Sequence, residues 1–277
     1  MSLFIASLNS GSNGNCYYIG NGSEAVLVDA GISCRETERR MANLGLTMEQ
    51  VKAVFISHEH TDHISGLPVL AKKYQLPVYI SAATLGNSRM NLPQELVRDF
   101  TAAHVNVGAL RVTPFAKLHD AADPYSFIIE GNGVKIGVLT DIGKACKQVV
   151  HYFKQCHAVF LESNYDEQML EEGNYPRHLQ NRIRGGKGHL SNNEALELFA
   201  MHRAPHLSHL LLSHLSQSNN RPELVLDLFR PFADELTIAV ASRYQESPVY
   251  HILQTAEKIS AKEKVLPFRA VQYSLFE

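Results

Sequence analysis

The segment HEHTDH places His58, His60, Asp62 and His63 within six positions, directly after the apolar run VFIS. Imidazole nitrogens and a carboxylate oxygen are ligands suited to zinc, manganese or iron. On an extended loop alternate side chains share a direction, so His58 and His60 are expected to face one ion while Asp62 and His63 turn toward a neighbouring one. A merely polar loop has no need of four ligand-type residues between a strand and a helix, and a metal site is the chemistry this spacing points to.

The same run-then-ligand pattern recurs along the chain. AVLVD ends in Asp29, VLT leads to Asp141, VFL to Glu162, and LLLS to His214. Each is a polar residue at the carboxyl edge of an apolar run, where α/β sheets build their sites. The reading is that these separate segments converge on one cleft.

The elements that must position them are short strands and amphipathic helices. SLFIASL, CYYIG and AVLVDAG read as hairpin-connected strands around a Gly/Asn/Ser loop. Ser33 with Glu36 predicts a capping box opening a helix to about Leu44; VFIS then reads as a strand and SGLPVLAKKY as a helix. In the second half YSFIIEG and VKIGVLTD read as strands, KACKQVVHYFK as a helix, HAVFLES as a strand, SNNEALELFAMHR as a capped helix and HLLLS as a strand. This alternation places helices on the outer faces of sheets.

With 277 residues and 45% hydrophobic content, the chain is long enough to bury a substantial core. A net charge of -2 argues against a wholly basic nucleic-acid binder, so a nucleic-acid substrate needs a local cationic patch. The cysteines Cys16, Cys34, Cys146 and Cys156 lack Cys-x-x-Cys spacing and read as buried free thiols. The first residues do not have the pattern of a signal peptide, and no run of about 18 apolar residues occurs. The expectation is a cytoplasmic protein whose core domain spans residues 1–256, followed by a charged linker and tail at 257–277.

HEHTDH is the His-x-His-x-Asp-His signature of the metallo-β-lactamase superfamily, which this chain resembles. The resemblance implies an α/β fold, a four-layer αβ/βα sandwich of two similar halves, and would explain why VFISH and LLLSH look alike. It implies further ligands at His119 in FAKLHDAADP, Asp141 in VLTDIG and His214 in LLLSHLS. Two divalent ions follow, zinc or manganese with iron as an option: His58, His60 and His119 on one, Asp62, His63 and His214 on the other, and Asp141 bridging. Such a pair, about 3.5–4 Å apart, lowers the pKa of a shared water and stabilises charge at a phosphoryl centre. Asp29 matches the early structural aspartate of the family, and Asp29, Ser57 and Ser213 are the candidates to orient the ligand rings.

SLNSGSNGNCYYI, LHDAADPYSF, TDIG, the long segment from ESNYDEQ to GKGHLSN, and LSHLSQSNN are similar to the YycJ/WalJ-like branch, described as double-stranded DNA exonucleases related to tRNase Z-type nucleases. That resemblance implies a 5′ to 3′ DNA exonuclease acting in replication or repair, with Glu162 and His189 beside the metals assisting proton transfer and Asp62 counted with them among the catalytic residues. Between them, Arg177, Arg182, Arg184 and Lys187 form a cluster able to hold a phosphate backbone. Loop 10–15, SGSNGN, can add backbone N–H donors or simply make a tight turn. The terminal QYSLF, with Gln272, Leu275 and Phe276, is similar to the short peptides that bind the bacterial sliding clamp. Two other readings stay open: a hydrolase of a small phosphodiester or ester on the same metals, and a non-catalytic clamp-tethered DNA-binding adaptor. His202, His206 and His209 read as ordinary polar or packing residues.

Overall fold

A computed structural model describes residues 2–100, 104–233 and 235–254. The predicted linker and tail, with Gln272, Leu275 and Phe276, lie outside the described residues.

The chain runs through strands β1 (Ser2–Asn9), β2 (Cys16–Gly20), β3 (Ala25–Val28), β4 (Val51–Phe55), β5 (Val78–Tyr79), β6 (Val97–Arg98), β7 (Val105–Val107), β8 (Leu110–Ala116), β9 (Tyr125–Gly131), β10 (Val134–Leu139), β11 (Ala158–Glu162), β12 (His209–Ser213), β13 (Thr237–Val240) and β14 (Tyr250–Leu253). They form two seven-stranded sheets, in the orders β14-β1-β2-β3-β4-β5-β6 and β7-β8-β9-β10-β11-β12-β13. Read from β14 and from β7, each sheet begins with antiparallel pairings up to β3 or β10 and continues with parallel ones. The two halves therefore repeat one topology.

Alternation along the strands builds the layers. In β3, Val26 and Val28 join Ile129, Val138 and Phe160 of the other sheet in the central core, while Ala25 and Leu27 face outward onto Met41, Leu67 and Leu70. Those outer residues belong to helices Cys34–Asn43 and Leu67–Tyr74. The second sheet packs its outer face on helices Lys147–Phe153, Asn192–His202 and Pro222–Phe229 through Val149, Phe153, Leu198, Phe199 and Phe229. The result is the expected four-layer sandwich: helices, sheet, sheet, helices. Strands buried on both faces must be apolar throughout, which is why AVLV, VFLE and LLLS carry so little alternation.

Two local expectations change. Ser33 caps its helix by accepting from the Glu36 N–H, but the Glu36 carboxylate takes the guanidinium groups of Arg39 and Arg40, so the reciprocal half of the box is not made. The box at Ser191 and Glu194 is complete. VFISH and LLLSH are also not equivalent: His58 follows β4, whose counterpart is β11, whereas His214 follows β12, the counterpart of β5. Topology instead pairs Asp29 with Asp141, at the ends of β3 and β10. Among the described residues no helix is long and apolar enough to cross a membrane.

Candidate metal centre

The predicted strand-end residues meet at one edge of the sandwich. Asp29, Asp141 and His214 each leave their strand with a left-handed backbone, φ 62°, 53° and 58°. That conformation is uncommon for residues other than glycine; here it turns the chain abruptly at each strand end. The short helix Thr61–Ile64 continues directly from His60 and carries Asp62 and His63.

The ring nitrogens have their hydrogens assigned by their outer partners. Asp29 is fully buried and accepts from Ser57 N at 2.8 Å, Ser57 Oγ at 2.9 Å and His63 Nδ1 at 2.7 Å. Because Ser57 spends its one hydroxyl hydrogen on Asp29, it accepts from His58 Nδ1, 2.9 Å away. His119 Nδ1 donates to Gly188 O at 3.0 Å. His214 Nδ1 donates to Glu162 Oε1 at 3.1 Å. In each case the neutral ring carries its lone pair on Nε2, which points inward.

These inward atoms form overlapping ligand groups: His58, His60 and His119; Asp62, His63 and His214; and His58, His63 and Asp141 between them. His60 Nδ1 lies 3.0 Å from His58 Nε2 and 3.4 Å from His119 Nε2. His63 Nε2 lies 3.2 Å from Asp141 Oδ2, which has no hydrogen-bond donor among the described residues, and 3.4 Å from Asp62 Oδ2. A lone pair facing two carboxylates, one of them a buried orphaned acceptor, is a site short of positive charge.

The electrostatics agree. Burial pushes the His63 and His214 imidazoles down, but Asp141, Asp62 and the other buried carboxylates reverse this and raise both, His214 to about 10. His58 and His119, where burial dominates, are pushed down, His119 to about 4. A pocket that otherwise holds protons on two imidazoles is one where divalent cations can replace them. Nitrogen and oxygen donors in these groups suit divalent metal ions.

Glu162, expected to take part in proton transfer, is fully buried with both oxygens engaged. Oε2 accepts from Ile142 N at 2.6 Å and Leu190 N at 3.2 Å; Oε1 accepts from His189 Nδ1 at 2.7 Å and His214 Nδ1 at 3.1 Å. Burial pushes its carboxyl up, yet the imidazole of His189 and the hydrogen bonds from both rings hold it at about 2. Its contacts are thus with the His189 and His214 rings and with two backbone N–H groups. His189 itself is 22% exposed and stands at the rim.

Carboxylates stand beside the predicted cationic cluster. Arg177 and Arg184 both pair with Glu171, and Arg182 pairs with Asp120. The three arginines stay exposed within these pairs, and Lys187 is exposed and without a carboxylate partner among the described residues. Ser213 does not orient His214, because its hydroxyl donates to Leu211 O. His209 stands at the start of β12, away from the site, as expected.

Sequence reasoning missed Asn15, Ser10 and Lys117. Asn15 Nδ2 lies 3.1 Å from both Asp62 Oδ2 and His63 Nε2, and its oxygen accepts from Gly11 N and the Tyr17 hydroxyl. Ser10 Oγ accepts from His214 N at 2.8 Å. Buried Lys117 donates to Thr140 O at 2.7 Å, bracing the residue before Asp141. The Gly/Asn/Ser composition of loop 10–15 signalled a turn but not that its side chains would brace the ligands.

The sandwich and its ligand-bearing edge define a metal-dependent hydrolase of the metallo-β-lactamase superfamily. Residues 24–214 match the beta-lactamase superfamily domain, and the chain belongs to this family, in the branch of the YycJ and WalJ proteins. It is 36% identical over 228 residues to Exodeoxyribonuclease YycJ of Bacillus anthracis, covering 81% of this chain and 86% of the relative. It is 30% identical over 224 residues to Exodeoxyribonuclease WalJ of Streptococcus pneumoniae, covering 78% and 83%. The metallo-β-lactamase fold protein YhfI of Bacillus subtilis superposes with a TM-score of 0.68 over 91% of this chain and all of that one, at 17% identity, which shows the shared fold.

Proposed function

We propose that this chain is a DNA exonuclease that degrades double-stranded DNA from the 5′ end in replication or repair, in the cytoplasm. The observation that carries it is the pair of ligand groups sharing one edge with His189, in a chain related to proteins named exodeoxyribonucleases. His58, His60 and His119 would hold one ion and Asp62, His63 and His214 the other, with Asp141 between the two groups. When bound, zinc, manganese or iron supplies an acidified water and neutralises charge on the phosphodiester.

The rest is done by the chain. Asp29, Ser57, Gly188 and Glu162 fix the rings so that only lone pairs face the ions. Glu162 keeps the His189 Nδ1 hydrogen turned inward, which leaves Nε2 free to hold a proton at the rim and deliver it to the leaving oxygen. Arg177, Arg182, Arg184 and Lys187 hold the phosphate backbone of the DNA, Lys187 being without a carboxylate partner among the described residues. The tail residues Gln272, Leu275 and Phe276 tether the enzyme to the sliding clamp.

The test is degradation of duplex DNA labelled at either 5′ or 3′ ends, with zinc and manganese in parallel. Release from the 5′ end is expected, and Asp62→Ala with His214→Ala should abolish it while the fold is kept. Full activity in that variant would sink the metal assignment; cleavage of small phosphodiesters alone would favour the small-substrate reading. Deleting residues 272–277 should abolish clamp pull-down while metal content stays constant, and unchanged clamp binding would refute the tether.

A further inference from the structure

Arg243, just past the end of β13, differs from the arginines paired with Glu171 and Asp120. Its guanidinium is half-buried and its hydrogen bonds go to neutral acceptors: Leu215 O at 2.7 Å, Gln217 Oε1 at 3.1 Å and Ser12 Oγ at 3.5 Å. No carboxylate pairs with it among the described residues. Burial pushes its pKa down, and among the described residues the phenols of Tyr244 and Tyr175 act against that. A partly desolvated cation without a counter-charge is costly unless an anion completes it.

Its surroundings tie it to the metal centre. Leu215 follows His214, and loop 10–15 carries both Ser12 and Asn15, the residue against Asp62 and His63. The segment is held in place: Asn13 Nδ2 donates to Arg243 O at 3.0 Å and Arg40 Nη2 donates to Tyr244 O at 3.0 Å. In the turn, the N–H groups of Gly11 and Gly14 are used internally and that of Asn15 on Asp62 O, while among the described residues those of Ser12 and Asn13 have no acceptor. Ser12 and Asn13 are exposed and touch Arg243 through their side chains, and free backbone N–H groups in a turn next to a guanidinium can make an anion seat. Tyr244, 71% exposed, stands next to it with its ring in solvent.

We propose that Arg243 with the backbone of Ser12 and Asn13 seats a backbone phosphate of the DNA strand beside the metal centre, and that Tyr244 stacks on a neighbouring base. This rests on the reading of the chain as a DNA hydrolase. A phosphate group and an aromatic face together are what a nucleic-acid strand presents, and stacking tolerates any base sequence.

The test is steady-state cleavage of duplex and frayed-end DNA by the metal-loaded enzyme over a range of monovalent salt. Arg243→Gln should raise KM roughly tenfold or more with a much smaller change in kcat. It should also flatten the dependence of log KM on log salt by about 0.9 for one lost phosphate contact on duplex DNA. Arg243→Lys should recover the salt slope while recovering only part of the affinity. Tyr244→Ala, at an exposed position, should raise KM without altering the slope. Unchanged KM and slope in Arg243→Gln would overturn the seat, as would a raised KM with the wild-type slope, which would mark a structural brace. Should Arg243→Gln not fold, methylphosphonates placed singly along the DNA decide: a single position at which a neutral linkage raises KM for Arg243→Lys less than for wild type is expected, and equal sensitivity overturns the proposal. Failure of the wild-type enzyme to cleave any DNA refutes the functional reading itself, a different outcome.

Discussion

Four hydrogen bonds converge on the Glu162 carboxylate, two from backbone N–H groups and two from imidazoles, and no part of it reaches solvent. Glu162→Gln keeps the size but turns one acceptor into a donor, which then opposes either two backbone N–H groups or the His189 and His214 rings. Losing an oriented partner of a ligand ring typically costs about 10–100-fold in affinity or activity. The expected result is a fall of roughly that size in kcat, with weakened metal retention by His214, measured by turnover and metal analysis. A variant with unimpaired turnover would remove Glu162 from the positioning of His189. The same residue predicts an acid limit. Its folded pKa is depressed to about 2, against about 4.3 in an unfolded chain. Its stabilisation is therefore complete above about pH 4.3 and is lost as pH falls through about 2. Melting of metal-free protein should decline across that window, and more shallowly in Glu162→Gln.

At the scale of elements, close backbone approach holds the ligand turn. A Cβ on Gly31 would lie 1.7 Å from Asp62 O, the carbonyl that accepts from Asn15 N at 2.7 Å. Only hydrogen fits there. Gly31→Ala must push the turn bearing Asp62 and His63 away from loop 10–15, so it should lower both melting temperature and metal occupancy without removing a ligand. Gly86, in helix Ala82–Ser88 with open space around it, is the control. Gly86→Ala should be neutral or stabilising by up to about 1 kcal/mol. Equal behaviour of the two in thermal unfolding and metal analysis would disprove the role of this close approach at Gly31. The contrast also shows where the sequence was legible. HEHTDH and the strand-end residues Asp29, Asp141, Glu162 and His214 could be found because ligand chemistry and strand ends are local patterns. The pairing of Arg182 with Asp120, 62 positions away, and of Arg184 with Glu171 across 13 positions, has no local signature. Strands of two or three residues such as β5, β6 and β7 carry no readable period. In β8, Pro114 counts against a strand, yet it lies in the strand paired with Phe127 of β9, two residues beyond the described pairing of β7 with residues 110–112.

Across the whole molecule, the ligand set is divided between the two halves. His58, His60, Asp62 and His63 follow β4 of one sheet, whereas His119, Asp141 and His214 follow β8, β10 and β12 of the other. The central core already joins the sheets through side chains such as Val28, Phe55, Phe127 and Phe160, so the fold does not depend on metal in the way a zinc finger does. Yet the edge gathers ligand groups from both sheets, with Asp141 Oδ2 unpartnered among the described residues, and ions bound across it would stabilise only the folded chain. At free metal 100 times the dissociation constant, that linkage contributes about 2.7 kcal/mol. For a domain of this size each kcal/mol corresponds to roughly 2–4 °C. Chelation should therefore lower the melting temperature by roughly 5–10 °C while far-ultraviolet circular dichroism still reports a folded sandwich, and zinc or manganese should restore it. In Asp62→Ala with His214→Ala, metal should recover only part of that shift, because the group formed with His63 has lost two of its ligands while His58, His60 and His119 stay intact. A chelation shift of the same size in that variant would place the stabilising ions elsewhere and refute the division of ligands between the sheets.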